Sequence, residues 1–94
     1  MDTYTVGDVA LALGVSASTI RNWTEQIEFE MYLSNEATRT GAYKNAKERR
    51  YTSQDLTILN TINVHKTRSN SWRDVARLLA DGIREEDLPD TAAL

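Results

Sequence analysis

Two short apolar repeats of helical period stand three residues apart near the start of the chain, and no other feature constrains the fold as strongly. Val6, Val9, Ala10 and Leu13 recur at i, i+3, i+4 and i+7. Thr5, with Asp8 three residues on, makes a capping-box start for this first helix, and Gly14 ends it. Val15 plugs the turn, Ser16 caps a second helix, and Ile20, Trp23 and Ile27 follow on one face of it. Helices joined this tightly cross with their apolar faces together and leave the outer face of the second one free.

Downstream the period changes. Phe29, Met31 and Leu33 alternate, which predicts a short strand over residues 28–33. Residues 34–47 are polar, contain Gly41 and lack apolar periodicity, which predicts an irregular hairpin loop with Tyr43 as its one large anchor. Residues 49–52 supply the return strand. Thr52 with Asp55 starts a third helix carrying Leu56, Ile58, Leu59 and Ile62 and running to about Lys66; Asn70 and Ser71 break the pattern. Ser71 with Asp74 repeats the cap signal for a fourth helix bearing Trp72, Val75, Ala76, Leu79 and Ile83, with Gly82 near its end. The expected architecture is mainly α, a helix-turn-helix of about four helices with a small β-hairpin wing over residues 1–84. An acidic, flexible tail follows over residues 85–94.

The outward face of the second helix offers Ser18, Thr19, Arg21, Asn22 and Glu25. Arginine and asparagine are the side chains that pair bidentately with guanine and adenine edges in a major groove, and Arg21 is the leading base-contact candidate. The formal charge of −3 argues against a nucleic-acid partner only if it is evenly spread, and it is not. Residues 34–73 hold eight Lys and Arg against three acids, between flanks that are both net acidic. Over a screening length of about 8 to 10 Å the local charge decides what a surface attracts. Arg39, Lys44, Lys47, Arg49 and Arg50 fall within twelve positions and suit phosphate contacts. Arg68 and Arg73 flank the junction of the last two helices as further candidates. Trp72 is assigned to the core, while Trp23 suits either the core or stacking at the interface.

The stretch Tyr4-Thr5-Val6-Gly7-Asp8-Val9-Ala10, then Leu13-Gly14-Val15-Ser16 and Thr19-Ile20-Arg21, resembles the opening of the MerR-type DNA-binding domain. Its pattern runs Y-T-I-G-E-L-A, G-V-S, T-L-R-Y-Y. Arg49-Arg50-Tyr51-Thr52 with Asp55-Leu56 resembles the family's R-R-Y-[ST] followed by D-L, and Ser71, Val75, Leu78 and Leu79 resemble its final domain helix. Residues 4–83 are covered, with the long hairpin unmatched. The resemblance implies a winged helix-turn-helix whose second helix enters the major groove while the wing lies on the adjacent backbone. By position, Thr19 and Arg21 would contact DNA from the recognition helix, Asn22 and Trp23 would occupy its two aromatic positions, and Arg49, Arg50 and Tyr51 would be wing and wing-to-helix residues near phosphate. Asn22 replaces the first aromatic, Thr24 the usual acid, and Lys44 and Lys47 are additions to a long wing.

Other function classes are poorly served. There is no cysteine and a single histidine, so thiolate zinc sites, disulfides and thiol redox chemistry are excluded within the chain, and no metal or cofactor is expected. No P-loop, nucleotide fingerprint or nucleophile elbow occurs, which predicts a non-enzyme. No leader and no membrane-length apolar run is visible, predicting a cytoplasmic, nucleoid-associated protein that does not engage membranes. The expected function is sequence-specific binding of double-stranded DNA by a transcription regulator. Its pairing is expected from a homodimer or from a C-terminal dimerisation and effector region. The alternatives are an architectural nucleoprotein module, excisionase-like or chromosome-anchoring, and an interaction adaptor that has lost DNA binding.

Overall fold

Side-chain caps set most of the helix boundaries in the computed structural model, which describes residues 3–66 and 71–89. Helix α1 (Val6–Leu13) begins at Thr5, whose hydroxyl accepts from the Asp8 N–H while the Asp8 carboxylate accepts from the Thr5 N–H, both at 3.1 Å. It ends where Gly14 turns left-handed at φ 70°, a conformation that glycine adopts without strain. The Gly14 and Val15 N–H groups fold back onto the last carbonyls of α1, so only Gly14, Val15 and Ser16 separate it from α2 (Ala17–Thr24). Ser16 caps α2 by accepting from the Thr19 N–H at 3.1 Å. Val9, Ala10 and Leu13 of α1 and Ile20 and Trp23 of α2 are buried together in one core, as the helix-turn-helix reading requires.

The expected third and fourth helices are also present. A single α-turn, α3 (Asn35–Thr38), precedes them, and they are α4 (Ser53–Lys66) and α5 (Trp72–Ala80). Both start in the capping boxes foreseen, Thr52 with Asp55 and Ser71 with Asp74. Ile58, Leu59 and Ile62 of α4 and Val75 and Leu79 of α5 complete the core. Each such fully buried side chain contributes about 1.5 to 3 kcal/mol. Ile83 lies beyond the end of α5 rather than on its face. The Glu85 and Asp87 carbonyls accept from Asn60 Nδ2 at 2.7 and 3.0 Å, which lays the first residues of the expected tail along α4. Arg68, Asn70 and residues 90–94 lie outside the described residues.

The segment between α2 and α4 departs from expectation. Helix α2 stops at Thr24, where the Gln26 N–H turns to the Trp23 carbonyl at 3.2 Å and the Gln26 side chain takes the Asn22 carbonyl at 3.1 Å. Ile27 therefore leaves the core face and is 79% exposed. The expected strand over residues 28–33 is a 3₁₀ helix, Ile27–Tyr32. Phe29 and Leu33 are buried while Met31, between them, is 80% exposed. The alternating series also contained a four-residue spacing, and burial follows that helical spacing.

Polar side chains order the following stretch. Ser34 Oγ accepts from the Ala37 N–H to cap α3, and a short 3₁₀ turn follows at Gly41–Tyr43. Tyr43 is exposed, so the loop is anchored instead by the fully buried Ala37. The expected return strand is reduced to one antiparallel bridge, Tyr4 with Tyr51, closed by hydrogen bonds of 2.8 and 2.9 Å. Among the described residues no β-hairpin wing is seen.

Asp55 joins the two halves. Its buried carboxylate accepts from the Thr52 N–H at 2.9 Å, the Ser34 N–H at 2.8 Å and the Ser34 hydroxyl at 2.6 Å. Replacing Asp55 with alanine strands three donors in a place with little water, and we expect a loss of about 3 kcal/mol or more. A urea titration should show the midpoint falling with little change in slope.

Candidate nucleic-acid interface

Because Ile20, Trp23 and Thr24 turn inward, the opposite face of α2 presents Ser18, Arg21, Asn22 and Glu25 to solvent. Thr19 is half-buried, with its hydroxyl 2.8 Å from that of Ser16. Ser18 Oγ lies 3.2 Å from the same Ser16 oxygen, so these hydroxyls form one cluster at the start of the helix. Asn22 is braced by Gln26, whose amide donates to Asn22 Oδ1 at 3.1 Å. A two-turn helix with a braced amide and an unpaired guanidinium on its outer face offers donors and acceptors in a fixed orientation.

Arg21 does more than decorate this face. Together with Arg39, Lys47 and Arg49 it lines a cleft of about 180 Å³ between α2 and the loop that precedes α4, shared with the carboxylates Glu25 and Glu48. Four cations, one from α2 and three from the loop, thus meet in one concavity with two acids. Arg39 enters it from the C-cap of α3 in a left-handed conformation, φ 57°, uncommon for a side chain other than glycine or asparagine. Arg49 is 15% exposed and donates one Nη to the Ala37 carbonyl at 2.9 Å and the other to Glu25 Oε1 at 3.4 Å. Lys44 is exposed but does not line this cleft.

Trp23, Arg50 and Tyr51, also expected at the interface, make contacts within the fold. Trp23 is 6% exposed and belongs to the core, so it has no face to offer a groove. Arg50 staples the chain start to residue 51, donating Nε to Thr3 Oγ1 at 3.0 Å and Nη2 to the Thr3 carbonyl at 3.2 Å, with Nη1 3.3 Å from Glu48. Tyr51 is wholly buried and does not line the cleft, out of reach of a phosphate. Thr24, one turn below Arg21, is buried next to it and spends its hydroxyl proton on the Arg21 carbonyl at 2.8 Å. Outside this region Arg73 is exposed on α5. Sequence reasoning did not single out Glu25 as a cleft residue. The signal available was its i+4 position from Arg21 on a short helix.

Among the described residues no group of His, Asp and Glu is arranged to hold a metal ion. Residues 4–81 match the family described as MerR HTH family regulatory protein. No curated protein and no solved structure matches the chain.

Burial raises the Tyr51 phenol above its ordinary value of 10.0, opposed in part by the Thr24 hydroxyl and by Arg49 and Arg21. Its Oη has no well-formed hydrogen bond. The fold thus favours the neutral phenol, whose stabilisation is complete below pH 10 and is lost as the pH rises through 10 toward the raised folded value. Tyr51→Phe removes a buried hydroxyl that is poorly paired, with only Thr24 beside it, and at pH 7 it should be as stable as the parent or more stable by about 1 kcal/mol. Thermal melts above pH 10 should show the parent losing stability faster than Tyr51→Phe.

Proposed function

The chain belongs to the MerR family of helix-turn-helix regulatory proteins, and from that premise we propose that it reads double-stranded DNA in a sequence-specific way. Members of this family are regulators rather than enzymes. In this reading α2 enters the major groove, with Arg21 and Asn22 at base edges and Ser18 and Thr19 close to the strand. The segment between residues 34 and 50 takes the wing's role on the adjacent backbone, with Arg39, Lys47 and Arg49 toward phosphate and Lys44 outside them. Trp23, Arg50 and Tyr51 hold this surface from behind.

The observation that carries the reading is the shared cleft, which brings a cation of the recognition helix together with three from the loop. A sequence-reading helix needs a backbone clamp to set its register, because phosphate contacts position and base contacts specify. An acidic protein with a cationic concavity beside such a helix meets both needs locally. No helix among the described residues is long and apolar enough to cross a membrane; a DNA-reading regulator would act in the cytoplasm at the nucleoid. Two copies on a two-fold site, as a homodimer or through a C-terminal region, complete the regulator.

Selection from random duplexes, with anisotropy of the enriched site over a salt series, tests this reading. We expect enrichment of a defined site and a salt slope of several units. Arg21→Ala should cost about 1 to 3 kcal/mol on the enriched site and relax the preference at one position. Lys47→Ala should weaken all duplexes alike and lower the slope by about one. Binding without enrichment would instead mark an architectural module, and no binding at low salt would leave the adaptor reading.

A further inference from the structure

The two carboxylates of the cleft are not equivalent. Glu48 lies 3.3 Å from Arg50, which is tied to the start of the chain. Glu25 reaches Arg49 at 3.4 Å with 61% of its side chain exposed, the geometry of a weak, screened pair. In the same cleft lining, Arg39 has its Nε buried with no hydrogen-bond partner, and Arg39, Arg21 and Lys47 form no ion pair with another described residue. A buried, orphaned guanidinium nitrogen in a native fold asks for an acceptor, and this guanidinium belongs to a residue that lines a concavity with further cations. A tetrahedral phosphate, with several acceptor oxygens, matches forked guanidinium donors converging from two elements.

We propose that this cleft is a seat for a single phosphate of a nucleic-acid backbone, and that Glu25 is its internal gate. In the free protein the Glu25 carboxylate partly neutralises Arg49 at the place an incoming phosphate oxygen requires. Entry of the phosphate swings the exposed Glu25 side chain out and frees that Nη, while Arg49 keeps its bond to the Ala37 carbonyl and so its position. The seat is held firmly and the gate loosely, so the gate lowers affinity for every sequence without altering base readout. Weak general binding of this kind leaves discrimination to the α2 face. The inference rests on the DNA-reading proposal and adds to it a residue that opposes binding.

The test is duplex binding over a salt series for the full chain and for Glu25→Gln, Glu28→Gln and Arg39→Gln. Glu28→Gln removes the same charge from an exposed position outside the cleft. Glu25→Gln should tighten a random-sequence duplex about fivefold and steepen the salt slope by about one, since Arg49 then counts in full toward phosphate neutralisation. Arg39→Gln should weaken it about tenfold and flatten the slope by about one. Equal tightening by Glu28→Gln would reduce the gate to a net-charge effect and overturn it, as would unchanged or weaker binding by Glu25→Gln. In parallel, inorganic phosphate titrated into the labelled protein should shift the Arg39 and Arg49 side-chain Nε resonances, and at lower concentration in Glu25→Gln. If no duplex binds but these shifts occur, the DNA reading fails and the nucleic-acid seat with its gate falls with it, leaving only a site for a free anion. Duplex binding with no response at these arginines overturns the seat and leaves the reading intact.

Discussion

The buried carboxylate of Asp55 is the contact on which the functional surface depends. A helix cap ordinarily satisfies only its own helix, but this one also accepts two hydrogen bonds from Ser34, twenty-one residues earlier. Ser34 in turn caps α3, so one carboxylate ties the start of α4 to the turn that ends at Arg39. The fully buried Ala37 lies inside that turn and lends its carbonyl to Arg49. The loop's cations are thus fastened to the helical core through a short chain of polar contacts. A rigid arrangement matters here because a displaced donor loses much of the advantage of a prepared charged site.

The same chain of contacts explains why the basic segment is not simply a charged loop. Repulsion among clustered cations would ordinarily keep such a stretch extended. In this protein two of the arginines are tied to the backbone, Arg49 through one Nη on the Ala37 carbonyl and Arg50 through its bonds to Thr3. Arg50 and the Tyr4–Tyr51 bridge bring the start of the chain alongside the end of the loop, and that bridge buries Tyr51 under α2. Arg21 and Arg49 both lie close enough to this buried phenol to act on its ionisation. Cations near the surface retain their charge for a partner, while those underneath shape the surface.

Legibility in the sequence follows the range of the interaction. The caps at Thr5, Ser16, Thr52 and Ser71 act over three residues, and each was readable from spacing alone. The turn at Gly14 was readable for the same reason. The segment after Thr24 was not, because its outcome is decided by contacts made elsewhere. Gln26 turns back on Asn22, Phe29 meets the edge of Trp72 at 5.5 Å, and Ser34 meets Asp55. An apolar series at positions 29, 31 and 33 fits both a strand and a helical turn, and only the packing against α5 chooses between them. Arg21, Arg39, Lys47 and Arg49 were individually visible as cations. Their convergence, and the removal of Trp23, Arg50 and Tyr51 to supporting positions, required the fold.

The departure from the family pattern at residue 24 gains a physical meaning from this arrangement. The pattern carries an acid there, but in this protein that position is 3% exposed and adjoins the buried Tyr51. A carboxylate at that site would be desolvated, and it would pair permanently with whatever cation lay nearest. Threonine returns its proton to the helix backbone instead and leaves Arg21 and Arg49 without a buried counter-charge. The acid appears one residue later, at Glu25, where the side chain reaches solvent and its pairing with Arg49 is weak. One helical position thus separates a site where a carboxylate would lie buried from one where it stays in solvent and holds Arg49 only loosely.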